Sequence, residues 1–352
     1  MKHTQSGAET IPAKADRERL MNEFYRGILV KSRQAYAWQP KAVAVRSKTA
    51  TEEMTWEERQ EIRNGRNAIR LARSYNRPED KRQEDVKDKY MKAFSGNLVS
   101  VELECVFHKD YSVPTEKDLG MLTEVVGDGS VRYEDHSGDD GSGAEVKVTM
   151  RSENPVRLKG IVDKINAMGG EVNTTCGMHV HLDQRGVSKV TTTKRAKRLV
   201  KALPALMKLV PQSRLENRFC QANRMIPKHG TYRFNSDRYM MINYLSAYRK
   251  HKTIEVRLHG GTLDFWKVLG WIKLCQFIQN SSEIDAISKA CNNSIYAMTG
   301  IEELIRMETM PESIRLYVWR RFRQFNAVQA NILRNKLIAE NKIHLTDGMA
   351  IS

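Results

Sequence analysis

From Asn97 onward, apolar residues recur at every second position in several short runs, the period of a strand with one buried face. In NLVSVELECVF, Val99, Val101, Leu103, Cys105 and Phe107 share one side, and Ser100, Glu102 and Glu104 the other. CGMHVHLD sets Met178, Val180 and Leu182 against His179, His181 and Asp183. KTIEVRLH turns Ile254, Val256 and Leu258 inward and leaves Glu255, Arg257 and His259 on the far side. A Gly/Asp/Ser loop over 134–144 precedes a short alternating strand, EVKVT, starting at Glu145, and another strand is expected around RYMMINY at 238–244.

Between these runs the period lengthens to that of a helix. NPVRLKGIVDKINAMGG predicts a helix entered past Pro155 and closed by Gly169 and Gly170. TTTKRAKRLVKALPALMKLV predicts a basic helix with a threonine N-cap and a kink at Pro204. From Phe265 on, WKVLGWIKLCQFIQN and ESIRLYVWRRFRQFNAVQANILRNKLI read as helices, and no repeat of fixed period appears. The expectation is an α+β domain over 95–352, with a mostly antiparallel sheet and helices packed on one side. Residues 1–94 differ: they are polar and rich in Lys, Arg and Glu. TWEERQEIRNGRNAIRLARSY, from Thr55, suits a solvated helix. They read as a basic helical or partly disordered extension, with a basic helix that docks a nucleic acid or a partner protein as the sharper alternative.

Composition narrows the class. No apolar run in the 352 residues approaches the roughly 20 needed to span a membrane, and the N-terminus has no apolar signal core, so a cytoplasmic location without membrane contact is expected. Five widely spaced cysteines without a CxxC pair suit a reducing compartment and free thiols. A net charge of +16 admits nucleic acid, an anionic surface or a nucleotide-like polyanion as partner, but the basic residues are spread along the chain instead of forming a compact arm.

The polar faces of the three strands carry the chemistry. An ordinary wet face mixes Lys, Thr, Ser and Gln, whereas these rows hold almost only carboxylates, imidazoles and guanidinium. If the strands are neighbours, carboxylates and an imidazole converge, a donor set suited to Mg²⁺ or Mn²⁺. Arg257 would add a guanidinium fork for phosphate oxygens, completing a phosphoryl-transfer site. Neither a Walker A pattern nor GxGxxG occurs, so a nucleotide is not held by a P-loop. Cys176, His179, His181 and Cys220 can be drawn as a zinc set, but their spacing matches no common structural zinc site.

At these residues the chain resembles the glutamine synthetase-like carboxylate–amine ligases, most closely the amidoligase family found in phages and fungi. The resemblance rests on VELE at 101–104, DGS at 128–130, EVKV from 145, VNTTCGMHVHLD at 172–183, RFC at 218–220, RYMMINY at 238–244 and TIEVRLHGGTLD at 253–264. It covers about 95–275 and implies a curved, mostly antiparallel sheet. It also implies ATP with Mg²⁺ or Mn²⁺, and formation of an amide or isopeptide bond through an acyl phosphate. Glu102, Glu104, Glu145, His179 and Glu255 become metal ligands by this resemblance. His181, Arg218, Arg238 and Asn243 become nucleotide contacts, Arg257 and Arg238 catalytic clamps, and Asp128 the acceptor of the amine proton or the binder of ammonium. The substrates would be a small-molecule, peptide or protein carboxylate and an amine. Relatives of this architecture sometimes build sites between subunits, which admits a homo-oligomer. Two features depart from the family pattern: Lys147 stands where a hydroxyl residue is usual, and the 134–144 loop is long and acidic. A same-fold phosphotransferase, a metal-dependent nuclease and a basic nucleic-acid-binding protein with an inert core are the competing expectations.

Overall fold

The computed structural model describes residues 98–120, 122–133, 141–151, 155–228, 231–234, 236–248, 251–290 and 300–342. The basic extension expected over 1–94 lies outside them. The strands are β1 (Leu98–His108), β2 (Thr123–Gly127), β3 (Gly141–Arg151), β4 (Gly170–Glu171), β5 (Gly177–Asp183), β6 (Met225–Lys228), β7 (Thr231–Phe234), β8 (Ile242–Asn243) and β9 (Thr253–Gly260). They form a seven-stranded antiparallel sheet in the order β2-β3-β1-β5-β9-β8, with β4 also on β1, and a separate β6–β7 hairpin. The protein is therefore a mixed α and β structure built on an open antiparallel sheet.

The alternation in β1 and β5 is realised as expected. Val99, Val101, Leu103, Met178, Val180 and Leu182 are fully buried in one continuous core with Ile254, Val256 and the helices. On this apolar face lie α1 (Val156–Ala167), which buries Leu158, Ile161, Val162 and Ile165, and α2 (Lys189–Lys201). A short α3 (Leu203–Met207) follows, and then α4 (Gln212–Leu215), which packs on β9. The long α5 (Phe265–Asn280) seats Trp271, Ile272, Leu274 and Cys275 in the core, and α6 (Glu312–Phe325) and α7 (Ala327–Ala339) pack outside it. No helix among the described residues is long and apolar enough to cross a membrane.

Several boundaries differ from the sequence reading for identifiable reasons. The N-cap of α2 is Ser188, whose side chain accepts from Thr191 N–H, so the threonines lie inside the helix. Pro204 does not kink α2; the helix ends at Lys201 and Pro204 takes the first turn of α3, where its missing N–H costs nothing. The pattern read as one helix through Asn326 breaks there. Asn326 leaves helical geometry, and its side-chain amide donates to the Lys208 carbonyl at 2.8 Å. β3 begins at Gly141, so part of the expected loop is strand, while 134–140 lie outside the described residues. The strand at 238–244 shrinks to Ile242–Asn243 and an isolated bridge at Met240.

The largest correction concerns β9. Met178 pairs with His259 but Val180 pairs with Val256, so β9 carries one extra residue opposite His179. Such a bulge resets the alternation beyond it. His259 therefore turns into the apolar layer instead of joining Glu255 and Arg257. It is 2% exposed, its ring lies 5.0 Å from that of Trp271, and Nε2 is 3.5 Å from the Tyr317 hydroxyl. Burial first, and then the nearby Arg321 charge, lower its pKa to about 3.

Candidate metal centre

Register converts the polar rows into rungs that cross the sheet. One rung runs Thr149–Ser100–His181–Glu255–Asn243, through β3, β1, β5, β9 and β8. The next runs Glu124–Lys147–Glu102–His179 and ends at the β9 bulge. The third places Glu145 directly opposite Glu104, which reaches the backbone N–H of Gly177 at 2.5 Å.

The side chains on these rungs converge. His179 Nδ1 lies 2.9 Å from Glu102 Oε2, and His181 Nε2 lies 3.2 Å from Glu102 Oε1 and 4.0 Å from Glu255 Oε1. Three sets each bring one ligand atom per residue within 4.8 Å of one another: Glu102, His181 and Glu255; Glu102, Glu145 and His179; and Glu104, Asp128 and Glu145. All five residues read from the sequence as metal ligands belong to these sets. His181, read as a phosphate contact, and Asp128 join them.

Four arrangements hold the set in place. Asn243 donates its amide to Glu255 Oε2 at 2.8 Å, so this expected nucleotide contact orients a carboxylate. His181 Nδ1 bonds Thr253 Oγ1 at 2.9 Å, and its buried Nε2 has no hydrogen-bond partner. Lys147 Nζ lies 3.1 Å from Glu145 Oε1 and 3.5 Å from Glu102 Oε1. Arg257, aimed by the bulge, bonds Glu255 Oε1 through Nη1. Asp183 continues the β5 row but is engaged by Arg185, Nε to Oδ1 at 2.7 Å.

The electrostatics follow from these contacts. Burial opposes ionisation of Glu102, but the charge of His181 and the hydrogen bond from His179 outweigh it and hold the carboxyl well below its usual range. Glu255 is likewise lowered against its burial, by His181, Arg257 and His179. Glu145 goes the other way: burial and the neighbouring Glu102 charge raise it despite Lys147. Burial works against a charged Lys147 and a charged His181, yet Glu102 with Glu145, and Glu102 with Glu255, push the two bases upward.

No periodic pattern or motif in the sequence points to Arg214. It is 5% exposed on the four-residue α4, and its Nη2 donates to the Arg257 carbonyl at 2.8 Å and lies 3.3 Å from His179 Nε2. Gly177 makes room for it, since a Cβ there would stand 2.5 Å from Nη2. A glycine inside a strand often marks such a close approach, and Gly177 is the one trace Arg214 leaves in the sequence.

Arg218 and Arg238 are exposed. Their guanidiniums stack on Phe219 (4.7 Å) and Tyr239 (5.1 Å), whose rings are 5.8 Å apart, and they make no ion pair with the cluster. The zinc set does not form either: Cys220 Sγ donates to the Arg257 carbonyl, Cys176 Sγ to Asn173 Oδ1, and no metal-ligand group among the described residues contains a cysteine. The four described cysteines are free and buried. The donor set, mostly carboxylate oxygen with an imidazole nitrogen, fits a hard divalent cation such as Mg²⁺ or Mn²⁺. Comparison with protein-family models gives no match, nor does comparison with curated proteins, so the functional reading rests on this geometry and the motifs that build it.

Proposed function

We propose that this sheet face is a divalent-cation-dependent phosphoryl-transfer centre, and that the protein is an ATP-dependent carboxylate–amine ligase of the glutamine synthetase-like type. The observation that carries the reading is the convergence of Glu102, His181 and Glu255, with a buried imidazole nitrogen left unpartnered beside two carboxylates. A bound divalent cation would neutralise phosphate oxygens there and ease transfer of the γ-phosphoryl group.

The chain's own residues supply the positioning. Arg257 has one donor on Glu255 and further N–H groups for a phosphate oxygen. Arg214 fixes both the bulge carbonyl and His179, so the Arg257 clamp and the imidazole that bonds Glu102 share one rigid support. Arg218 and Arg238, on their aromatic ledge, are the further phosphate contacts this reading calls for. A substrate carboxylate oxygen attacks the γ-phosphorus of ATP and releases ADP; an amine nitrogen then attacks the acyl carbon and expels phosphate. Asp128, beside Glu104 and Glu145, is the group assigned to take the amine proton. The substrates are a carboxylate and an amine, of small-molecule, peptide or protein origin.

The test is ADP release screened against a panel of amino acids, peptides and amines. Glu102→Ala and Glu255→Ala should abolish amine-dependent release while circular dichroism and cooperative melting are kept; unchanged turnover in both variants would sink the reading. ADP release that needs no amine would assign a phosphotransferase instead, and Mg²⁺-dependent cleavage of plasmid DNA a nuclease.

A further inference from the structure

Lys147 is the residue this site has no ordinary use for. Its ammonium bridges Glu145 and Glu102, with Nζ 3.1 Å from Glu145 Oε1 and 3.5 Å from Glu102 Oε1, and Glu145 belongs to two of the three sets. An ammonium against two carboxylates occupies the place a cation would take.

His179 points the same way. The Arg214 guanidinium can only donate, so His179 Nε2 accepts and Nδ1 carries the proton that Glu102 Oε2 receives at 2.9 Å. Both ring nitrogens are thereby used, and His179 has no lone pair left for an ion. His181 is the opposite case. Its Nδ1 is 2.9 Å from Thr253 Oγ1, and Nε2, buried and without a hydrogen-bond partner, stands between Glu102 and Glu255, where the Nδ1–H tautomer would present a lone pair to an ion. Arg257 touches only Glu255 of that set, whereas Lys147 straddles two carboxylates.

We propose that Lys147 is a tethered cation that fills the Glu102–Glu145–His179 corner and guards the Glu104–Asp128–Glu145 corner, so that the centre takes a single divalent ion, at Glu102–His181–Glu255. The inference rests on the reading of this cluster as a divalent-cation centre and adds its stoichiometry. In it His179 is a positioning residue, held by Arg214 against Glu102, and His181 the ligand.

The experiment counts Mn²⁺ bound to the full chain without nucleotide, by calorimetric titration and by loss of the free-ion electron paramagnetic resonance signal. The wild type should bind one tight equivalent, with any second at least about tenfold weaker. Lys147→Met should gain a second tight equivalent, and His181→Gln should lose the tight one. Two tight equivalents in the wild type, or an unchanged single equivalent in Lys147→Met with its melting transition intact, would overturn the assignment to Lys147 while leaving the metal-centre reading standing. No Mn²⁺ binding by the wild type would overturn both. The wild-type count needs no variant, so the proposal stays open to refutation even if Lys147→Met fails to fold.

Discussion

His259 offers a quantitative test of the bulge in β9, because the bulge alone decides whether this imidazole faces the carboxylates or the core. In the core it is a satisfied neutral residue: Nδ1–H donates to the Gly260 carbonyl at 2.6 Å and Nε2 can accept from Tyr317. Its pKa is lowered to about 3, by burial and then by Arg321, with Arg214 and Lys267 also unfavourable to its charge. A base depressed in the folded state binds its proton more readily when unfolded. Its contribution to stability is therefore present above about pH 6.5 and is lost progressively as the pH falls toward about 3.

At about pH 4.5 the unfolded histidine is almost fully protonated and the folded one almost not. Two pH units below the unfolded pKa, at 1.36 kcal/mol each, amount to about 2.5 kcal/mol lost relative to pH 7. His259→Phe keeps a ring against Trp271 but has nothing to titrate. It forfeits the Gly260 hydrogen bond and leaves Tyr317 short of a partner, which costs about 1–2 kcal/mol at neutral pH. The variant should thus be the less stable protein at pH 7 and the more stable one near pH 4.5. Urea denaturation of both chains at the two pH values measures this, and the difference of differences cancels every other titrating group. Parallel losses in the two chains would mean that His259 is not buried as a neutral base.

Two further substitutions probe the supports of the site. Gly177→Ala would push a methyl group into the Arg214 guanidinium and should cost about 1–3 kcal/mol in urea denaturation; an unchanged midpoint would mean that Arg214 is not seated there. Asp264 caps α5 through bonds to Trp266 N–H at 2.9 Å and Lys267 N–H at 3.2 Å, so Asp264→Ala should cost about 1 kcal/mol, whereas Asp264→Ser should recover most of it.

The parts of this protein legible in its sequence are those governed by local period. Alternation in β1 and β5 identified both the core and the row of Glu102, Glu104, His179 and His181, because a strand buried on one face has no other way to sort its side chains. The bulge was not legible. An inserted residue is defined only against the partner strand, and TIEVRLH alternates cleanly on its own, so its period alone assigns His259 to the polar face. Arg214 is hidden for a related reason. A four-residue helix has no periodic signature, and the side chain is recruited by the Arg257 carbonyl and His179, groups distant in sequence. Asn326 and Ser188 mark boundaries set by which polar side chain meets an orphan backbone group, a choice that composition alone does not make.

The rungs also explain why so many charges are tolerated on one side of a sheet. Glu145 directly opposite Glu104 is an unfavourable cross-strand pair, and Glu145 also lies close to Glu102. A sheet meant only to face water would separate such residues, since neutral polar side chains are compatible with the same strands. Here the repulsion is offset by fixed positive groups at defined heights: Lys147 between Glu102 and Glu145, the Gly177 N–H on Glu104, and Arg257 on Glu255. None of these meets His181 Nε2, the one unpartnered side-chain nitrogen on the three rungs. The face thus supplies a partner to each of these carboxylates but none to the His181 nitrogen between Glu102 and Glu255, and that unpartnered imidazole, more than the number of acidic residues, is the physical argument for a cation there.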